Sequence, residues 1–248
     1  MSPLVGFGQT IIGKGVFQTY LNGDGFFGKK GYLSDLTPYV VYGILDDLSL
    51  SGYFPFSPGN MEGANHSAGI EDFSLELEYA FFTRSGSYYE DQATVVADVN
   101  VPTGSSTKTP PTGDGAVSVF VGATLVRLTY NWYFYTSPGV WINTATSGTK
   151  KGNEVYYQFG IGRNLFNPSG WVLSILVEIN GTYSWKDKLS GSRNPDSGGN
   201  IVYVTPSLWL ASKKTILQFG IGYPALQNLY GNQSRQYFSV NFSIGFTL

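Results

Sequence analysis

The chain has 248 residues, of which 16% are aromatic and 13% charged, with 32 glycines and a formal charge of −2. Soluble domains average about 25% charged residues, so this chain lacks the charge that covers a water-facing surface. Its near-neutral, scattered charge excludes a basic field for capturing nucleic acid, and the absence of cysteine excludes disulfides and thiolate metal sites.

No apolar run approaches the roughly 20 residues that a spanning helix needs. The other backbone that satisfies every amide inside hydrocarbon is a closed β-barrel. Met1-Ser2-Pro3 and Leu4-Val5-Gly6 contain neither a basic region nor a cleavage site, so the chain reads as a mature form whose export leader has been removed.

Residues 1–13 form an N-terminal segment, and residues 14–248 the expected barrel. From Met1 to Ile12 the segment is apolar and glycine-rich, with Phe7, Ile11 and Ile12. Two readings stay open at this level: a plug folded into the lumen, or a periplasmic tail.

Strands are expected near 14–22, 34–44 and 48–56. In the next, Phe73, Leu75, Leu77, Tyr79 and Phe81 alternate with Ser74, Glu76 and Glu78; then Ala93, Val95, Ala97, Val99 and Val101 alternate with Thr94, Asp98 and Asn100. Period-two alternation places the two sets on opposite faces of a strand. Further strands fit near 115–128 and 132–143. Val155, Tyr157, Phe159 and Ile161 then oppose Gln158, Gly160 and Gly162, and Trp171, Leu173, Ile175, Val177 and Ile179 oppose Ser174, Glu178, Asn180 and Thr182. After a strand near 200–211, Leu217, Phe219, Ile221 and Tyr223 oppose Gln218, Gly220 and Gly222. Phe238, Val240, Phe242, Ile244, Phe246 and Leu248 close the chain, opposed by Ser239, Asn241, Ser243, Gly245 and Thr247. The total is about twelve, an even number as in bacterial single-chain barrels, with apolar residues toward lipid and polar residues toward a lumen.

The connections alternate in length. Short ones fall near Leu45–Asp47, Thr83–Ser87, Thr129–Asn131, Leu165–Ser169 and Ala211–Lys214. Long ones, Gly23–Leu33, Ser57–Ala68, Pro102–Gly113, Thr144–Gly152, Trp185–Gly199 and Pro224–Ser234, are rich in Gly, Pro, Ser and Asn. Short turns belong on the periplasmic side and long loops outside. Tyr130, Trp132, Tyr133 and Trp171 lie near the short turns, and Trp141, Tyr183, Trp185, Tyr223 and Tyr237 nearer the loops, which predicts two aromatic girdles at the headgroups.

Tyr42-Gly43-Ile44-Leu45-Asp46-Asp47-Leu48-Ser49-Leu50-Ser51-Gly52-Tyr53-Phe54-Pro55, then Gly69-Ile70-Glu71-Asp72-Phe73-Ser74-Leu75-Glu76-Leu77-Glu78-Tyr79, then Val99-Asn100-Val101-Pro102-Thr103-Gly104 together resemble a known family. It is the outer-membrane barrel family assigned to the phenol meta-cleavage (MetA) pathway, transporter-like proteins. Val126-Arg127-Leu128-Thr129-Tyr130-Asn131-Trp132 is similar to that family's next tight turn, so the resemblance spans most of the chain. It implies an outer-membrane channel or transporter for small, often hydrophobic or aromatic compounds.

Lumen-facing candidates for contact with substrate or ions are Glu76, Glu78, Asp98, Glu178, Asn180, Gln158, Gln218 and Trp209. The carboxylates suit polar or cationic solutes; they equally suit internal pairing, with Lys14 as a cation within reach. Gly122, Gly160, Gly162, Gly220, Gly222 and Gly245 leave room in the lumen, whereas Tyr39, Tyr53, Phe120 and Trp209 take it up.

Enzymatic barrels form the rival class. The sole histidine, His66, sits in an expected loop with no acid placed to orient it, so no catalytic residue, metal or cofactor is implied. A second rival is a surface-exposed structural or adhesin-like barrel with a closed lumen, whose loops bind ligands or lipopolysaccharide. Lys150, Lys151, Lys186, Lys188 and Arg193 on the expected outer loops suit its phosphates. The expected partners are outer-membrane lipid, lipopolysaccharide and a small-molecule substrate, with no nucleic acid, for a monomer.

Overall fold

The structure, a computed structural model, describes residues 3–146, 148–166 and 170–248. Met1, Ser2, Ser147 of the expected loop Thr144–Gly152, and most of the turn expected at Leu165–Ser169 lie outside the described residues.

Every regular element among the described residues is a strand. In chain order they are β1 (Phe17–Gly28), β2 (Gly31–Leu45), β3 (Leu48–Tyr53), β4 (Phe56–Glu62), β5 (Asn65–Ile70), β6 (Phe73–Ser85), β7 (Tyr89–Val101), β8 (Ser118–Thr129) and β9 (Trp132–Asn143). After the short β10 (Ala145–Thr146) and β11 (Thr149–Lys150) come β12 (Glu154–Phe166) and β13 (Val172–Ser184). The short β14 (Lys188–Leu189) and β15 (Ser192–Arg193) precede β16 (Gly199–Ala211), β17 (Thr215–Leu229) and β18 (Gln236–Thr247).

Twelve of these strands form the wall, each antiparallel to its neighbours in the order β1-β2-β3-β6-β7-β8-β9-β12-β13-β16-β17-β18. The ring closes where β1 pairs with β18, Gly23 opposite Phe242 and Gln18 opposite Thr247, leaving the wall no open edge. The remaining strands lie on the long-loop side. The β4–β5 hairpin adds to the upper part of β2, and β10, β11, β14 and β15 make a separate small sheet.

The two faces of the wall divide as the alternation predicts. Leu75, Leu77 and Tyr79 of β6, Val95 and Val99 of β7, and Ile175, Val177 and Ile179 of β13 stand exposed on the outside. Such a continuous apolar belt is matched by hydrocarbon and not by water. Their neighbours, such as Glu76, Glu78, Thr94, Asp98 and Glu178, are buried inside.

Three expectations shift. Strand 1 begins at Phe17 rather than near 14, and continues to Gly28 through residues assigned to a loop. Its alternation is diluted by Gly23 and Gly25, and Gly23 is small because a Cβ there would stand 2.1 Å from the ring of Phe242. The loop expected at Pro224–Ser234 is likewise strand up to Leu229. Of the residues assigned to the girdles, Tyr133 points inward and is buried, and Trp141 packs its ring 5.2 Å from the inward Phe120. Both belong to the odd face of β9, shared with the buried Tyr135 and Ser137. Trp132, on the even face, stays outside under the guanidinium of Arg163 at 5.3 Å.

Candidate functional site

The interior is built around the inward-facing polar residues, and all eight candidates from the sequence lie there, buried: Glu76, Glu78, Asp98, Gln158, Glu178, Asn180, Trp209 and Gln218. Glu76 sits directly opposite Asp98 across β6–β7 and accepts a hydrogen bond from the hydroxyl of Tyr53 at 3.0 Å.

The N-terminal segment runs inside the barrel and supplies the principal partners of two of these acids. It is anchored first at the short-turn end. There the Gly15 N–H donates to the Gly43 carbonyl at 2.8 Å, the Lys14 N–H to Asp46 at 2.9 Å and the Ile12 N–H to the Ser49 hydroxyl at 3.0 Å. Further along, the successive N–H groups of Gln9 and Thr10 both donate to Glu78, at 2.8 and 2.7 Å. The hydroxyls of Thr10 and Thr94 complete its shell at 2.6 Å each. A second fork follows: the N–H groups of Leu4 and Val5 donate to Glu178 at 2.9 and 3.2 Å, alongside the Tyr135 hydroxyl at 3.1 Å. Between the forks the Phe7 N–H donates to Gln158 at 3.3 Å.

Glu78 lies on β6 and Glu178 on β13, which are five places apart in a ring of twelve strands. The segment therefore crosses the lumen from one wall to nearly the opposite one. Paired backbone N–H groups make a cradle for a carboxylate, and hydrogen bonds to an ionised acceptor are roughly twice as strong as neutral ones. The turn that aims the Gln9 and Thr10 amides has positive φ at Gly8 (76°) and at Gln9 (65°). Lys14 does not serve as a counter-ion: its side chain is exposed near the Asp46 turn. Among the described residues, no Lys or Arg forms an ion pair with Glu76, Glu78, Asp98 or Glu178.

The inward glycines are filled rather than empty, which corrects the expectation that they leave room. A Cβ on Gly160 would meet the Tyr135 ring at 2.0 Å, and on Gly245 the Tyr20 ring at 2.3 Å; each ring belongs to the residue directly across the ladder. A Cβ on Gly122 would meet the rings of Phe7 and Phe120, and on Gly220 the side chain of Leu4. Glycine lets a neighbouring ring lie flat across the strand. Toward the short-turn end, Tyr133, Tyr135, Leu176 and Trp209 form one buried cluster, with 5.8 Å between the rings of Tyr133 and Trp209, and the Tyr133 hydroxyl bonds to Gln9.

Sequence reasoning missed part of the inner wall. Asp24, in residues assigned to a loop, is bonded by Asn241 at 2.6 Å and lies opposite Asp35. Tyr133 and Tyr135 were recoverable from their shared parity with Ser137. The two forks of the N-terminal segment leave no signature in sequence, because their donors are backbone. His66 sits on β5 opposite Met61, exposed on the outer hairpin and not in a turn.

No protein-family model matches the chain, and no curated protein matches it. Solved structures do. The COG4313 outer membrane channel from Pseudomonas putida F1 superposes with a TM-score of 0.74 at 14% identity, over 98% of this chain and 100% of that one. The chain has the fold of an outer-membrane β-barrel. The NanC porin follows that fold at a TM-score of 0.55 and 13% identity, over 93% of this chain and 100% of that one. LpxR from Salmonella typhimurium does so at 0.52 and 8% identity, over 92% and 99%.

Proposed function

We propose that this barrel is an outer-membrane channel for small, hydrophobic or aromatic compounds, acting as a monomer, whose N-terminal segment is a removable plug. One observation carries the reading. The segment is held across the lumen by hydrogen bonds from its own backbone to Glu78 and Glu178, while the wall closes through β1 and β18 without it. A plug attached in this way can leave without opening the barrel. The likeness in fold to a channel and a porin supports a conducting role, and the family resemblance supports the solute class.

The inner surface suits such solutes. Tyr20, Tyr39 and Tyr53 lie ring over ring at 4.6 and 4.8 Å, an aromatic strip in the inner wall suited to aromatic solutes. Asp98 and Asn180 carry buried oxygen or nitrogen atoms without a hydrogen-bond partner among the described residues, and these are the groups for a hydroxyl on a passing ring. No catalytic role is proposed, although LpxR shares the fold: the exposed His66 lies on an outer hairpin, away from the inward carboxylates.

Liposomes containing the refolded barrel test this by swelling in small sugars and in small aromatic compounds. Faster entry of aromatics is the expected result. A barrel that passes neither, with or without its first residues, favours the second reading, a structural barrel with a closed lumen, which the filling of the inner glycines supports.

A further inference from the structure

On the long-loop side, β11, β14 and β15 bring three cations into one row. Lys150 lies directly opposite Lys188, and Lys188 directly opposite Arg193. Residues directly opposite across antiparallel strands share a face, with Cβ atoms about 5 Å apart, and like charges in such positions repel. Three of them in succession weaken a sheet whose strands are two residues long, a repulsion that a bound anion would relieve.

The row borders a cavity of about 550 Å³ that Lys186 also enters, a volume in the range of small-ligand sites. Among the described residues, none of these four cations has a carboxylate within ion-pair distance. Lys151 beside them is different, being held by Asp114 at 3.2 Å and Glu154 at 4.0 Å. The other wall is aromatic: Tyr183 and Trp185 meet edge to face at 5.2 Å, and the Lys186 ammonium lies 5.0 Å over the Tyr230 ring.

The position identifies the side from which a ligand comes. Tyr183 continues the outward parity of Ile175, Val177 and Ile179 along β13. The cavity thus begins where the lipid-facing belt ends, at the height of the headgroups. We infer that this cavity binds a phosphorylated saccharide headgroup of the outer leaflet, with Lys150, Lys188 and Arg193 on its phosphates and Trp185 against the sugar. Lysine and arginine donate charge-assisted bonds to phosphate, and a saccharide offers an apolar ring face to an aromatic one. The site stands apart from the lumen and does not depend on whether the pore conducts.

The test uses the full chain refolded in the absence of lipopolysaccharide. Its binding is measured to purified rough-type lipopolysaccharide in micelles, to the same lipid after enzymatic dephosphorylation, and in competition with inorganic phosphate. The double variant Lys188→Glu, Arg193→Glu is compared with Lys213→Glu, Lys214→Glu, which makes the same charge change at the β16–β17 turn. The expected result is binding weaker by about tenfold or more for the first variant and for the dephosphorylated lipid, with the second variant unchanged. Equal affinity for lipid with and without phosphate overturns the inference on wild-type protein alone, even if a variant fails to fold. Equal loss in both variants overturns it as non-specific charge. Full displacement by millimolar inorganic phosphate overturns the lipid assignment in favour of a soluble anion.

Discussion

Glu78 receives both the backbone N–H and the hydroxyl of Thr10, at 2.7 and 2.6 Å, so one residue of the N-terminal segment is bound twice by one residue of the wall. With the Gln9 amide at 2.8 Å, Glu78 takes three hydrogen bonds from the N-terminal segment. Replacing Glu78 with Gln keeps one carbonyl oxygen and removes the charge. Each charge-assisted bond contributes about 1.5–3 kcal/mol, so E78Q is expected to raise the open fraction of channels by at least tenfold in planar-bilayer recordings, and E178Q by less. Recordings in which both variants match the wild type would count against plug retention by these acids.

Gly8 is required at the turn before that fork. Its φ is +76°, and a Cβ there would stand 2.6 Å from the Thr124 hydroxyl. A left-handed conformation costs an L-residue about 1–2 kcal/mol, and the contact adds to it. Gly8→Val is therefore expected to release the segment without harming the barrel: trypsin should remove the N-terminus at Lys14 faster, while the melting temperature of the wall stays within a few degrees.

Gly160 lies opposite Tyr135, whose ring occupies the place of its side chain. Gly160→Ala is expected to push that ring away and to cost about 1–3 kcal/mol through overpacking. Because the Tyr135 hydroxyl also bonds to Glu178, the same change should weaken the plug. The checks are the temperature at which the barrel loses its compact migration on gels, and conductance. A shift in neither would mean the ring has another place to go.

Much of this wall was legible in the sequence, and the reason is geometric. Where a strand is wet on one side and apolar on the other, the period of two survives, as in Phe73–Phe81 or Phe238–Leu248. Legibility fails where both faces carry similar residues. In β1, Gly23 and Gly25 interrupt the outer face, and in β9 the inner face holds Tyr133 and Trp141, which read as girdle aromatics at the headgroups. The inward acids were found by parity alone. Their partners were not, because backbone amides carry no residue signature and Lys14 offered a simpler pairing that the structure does not use.

Outside the membrane-spanning strands, burial pushes the Glu71 carboxyl up to about 9, assisted by its hydrogen bond and charge interaction with Asp35 and by Asp72. The folded state thus holds a proton that the unfolded chain, near the ordinary 4.5, gives up. Stability from this proton is complete below about 4.5 and is lost as pH rises toward about 9. The melting temperature of the wild type should fall across that window, and that of Glu71→Gln should fall less. Parallel curves for the two proteins would contradict a proton held on Glu71 in the folded state.

Removal of residues 2–11 tests the central claim most directly. In planar bilayers the shortened barrel is expected to conduct steadily at several times the wild-type level, with Glu78 and Glu178 newly exposed to the pore and cations favoured over anions. A shortened barrel that folds and conducts no more than the full chain would contradict the plug, and with it the reading of this protein as a gated channel.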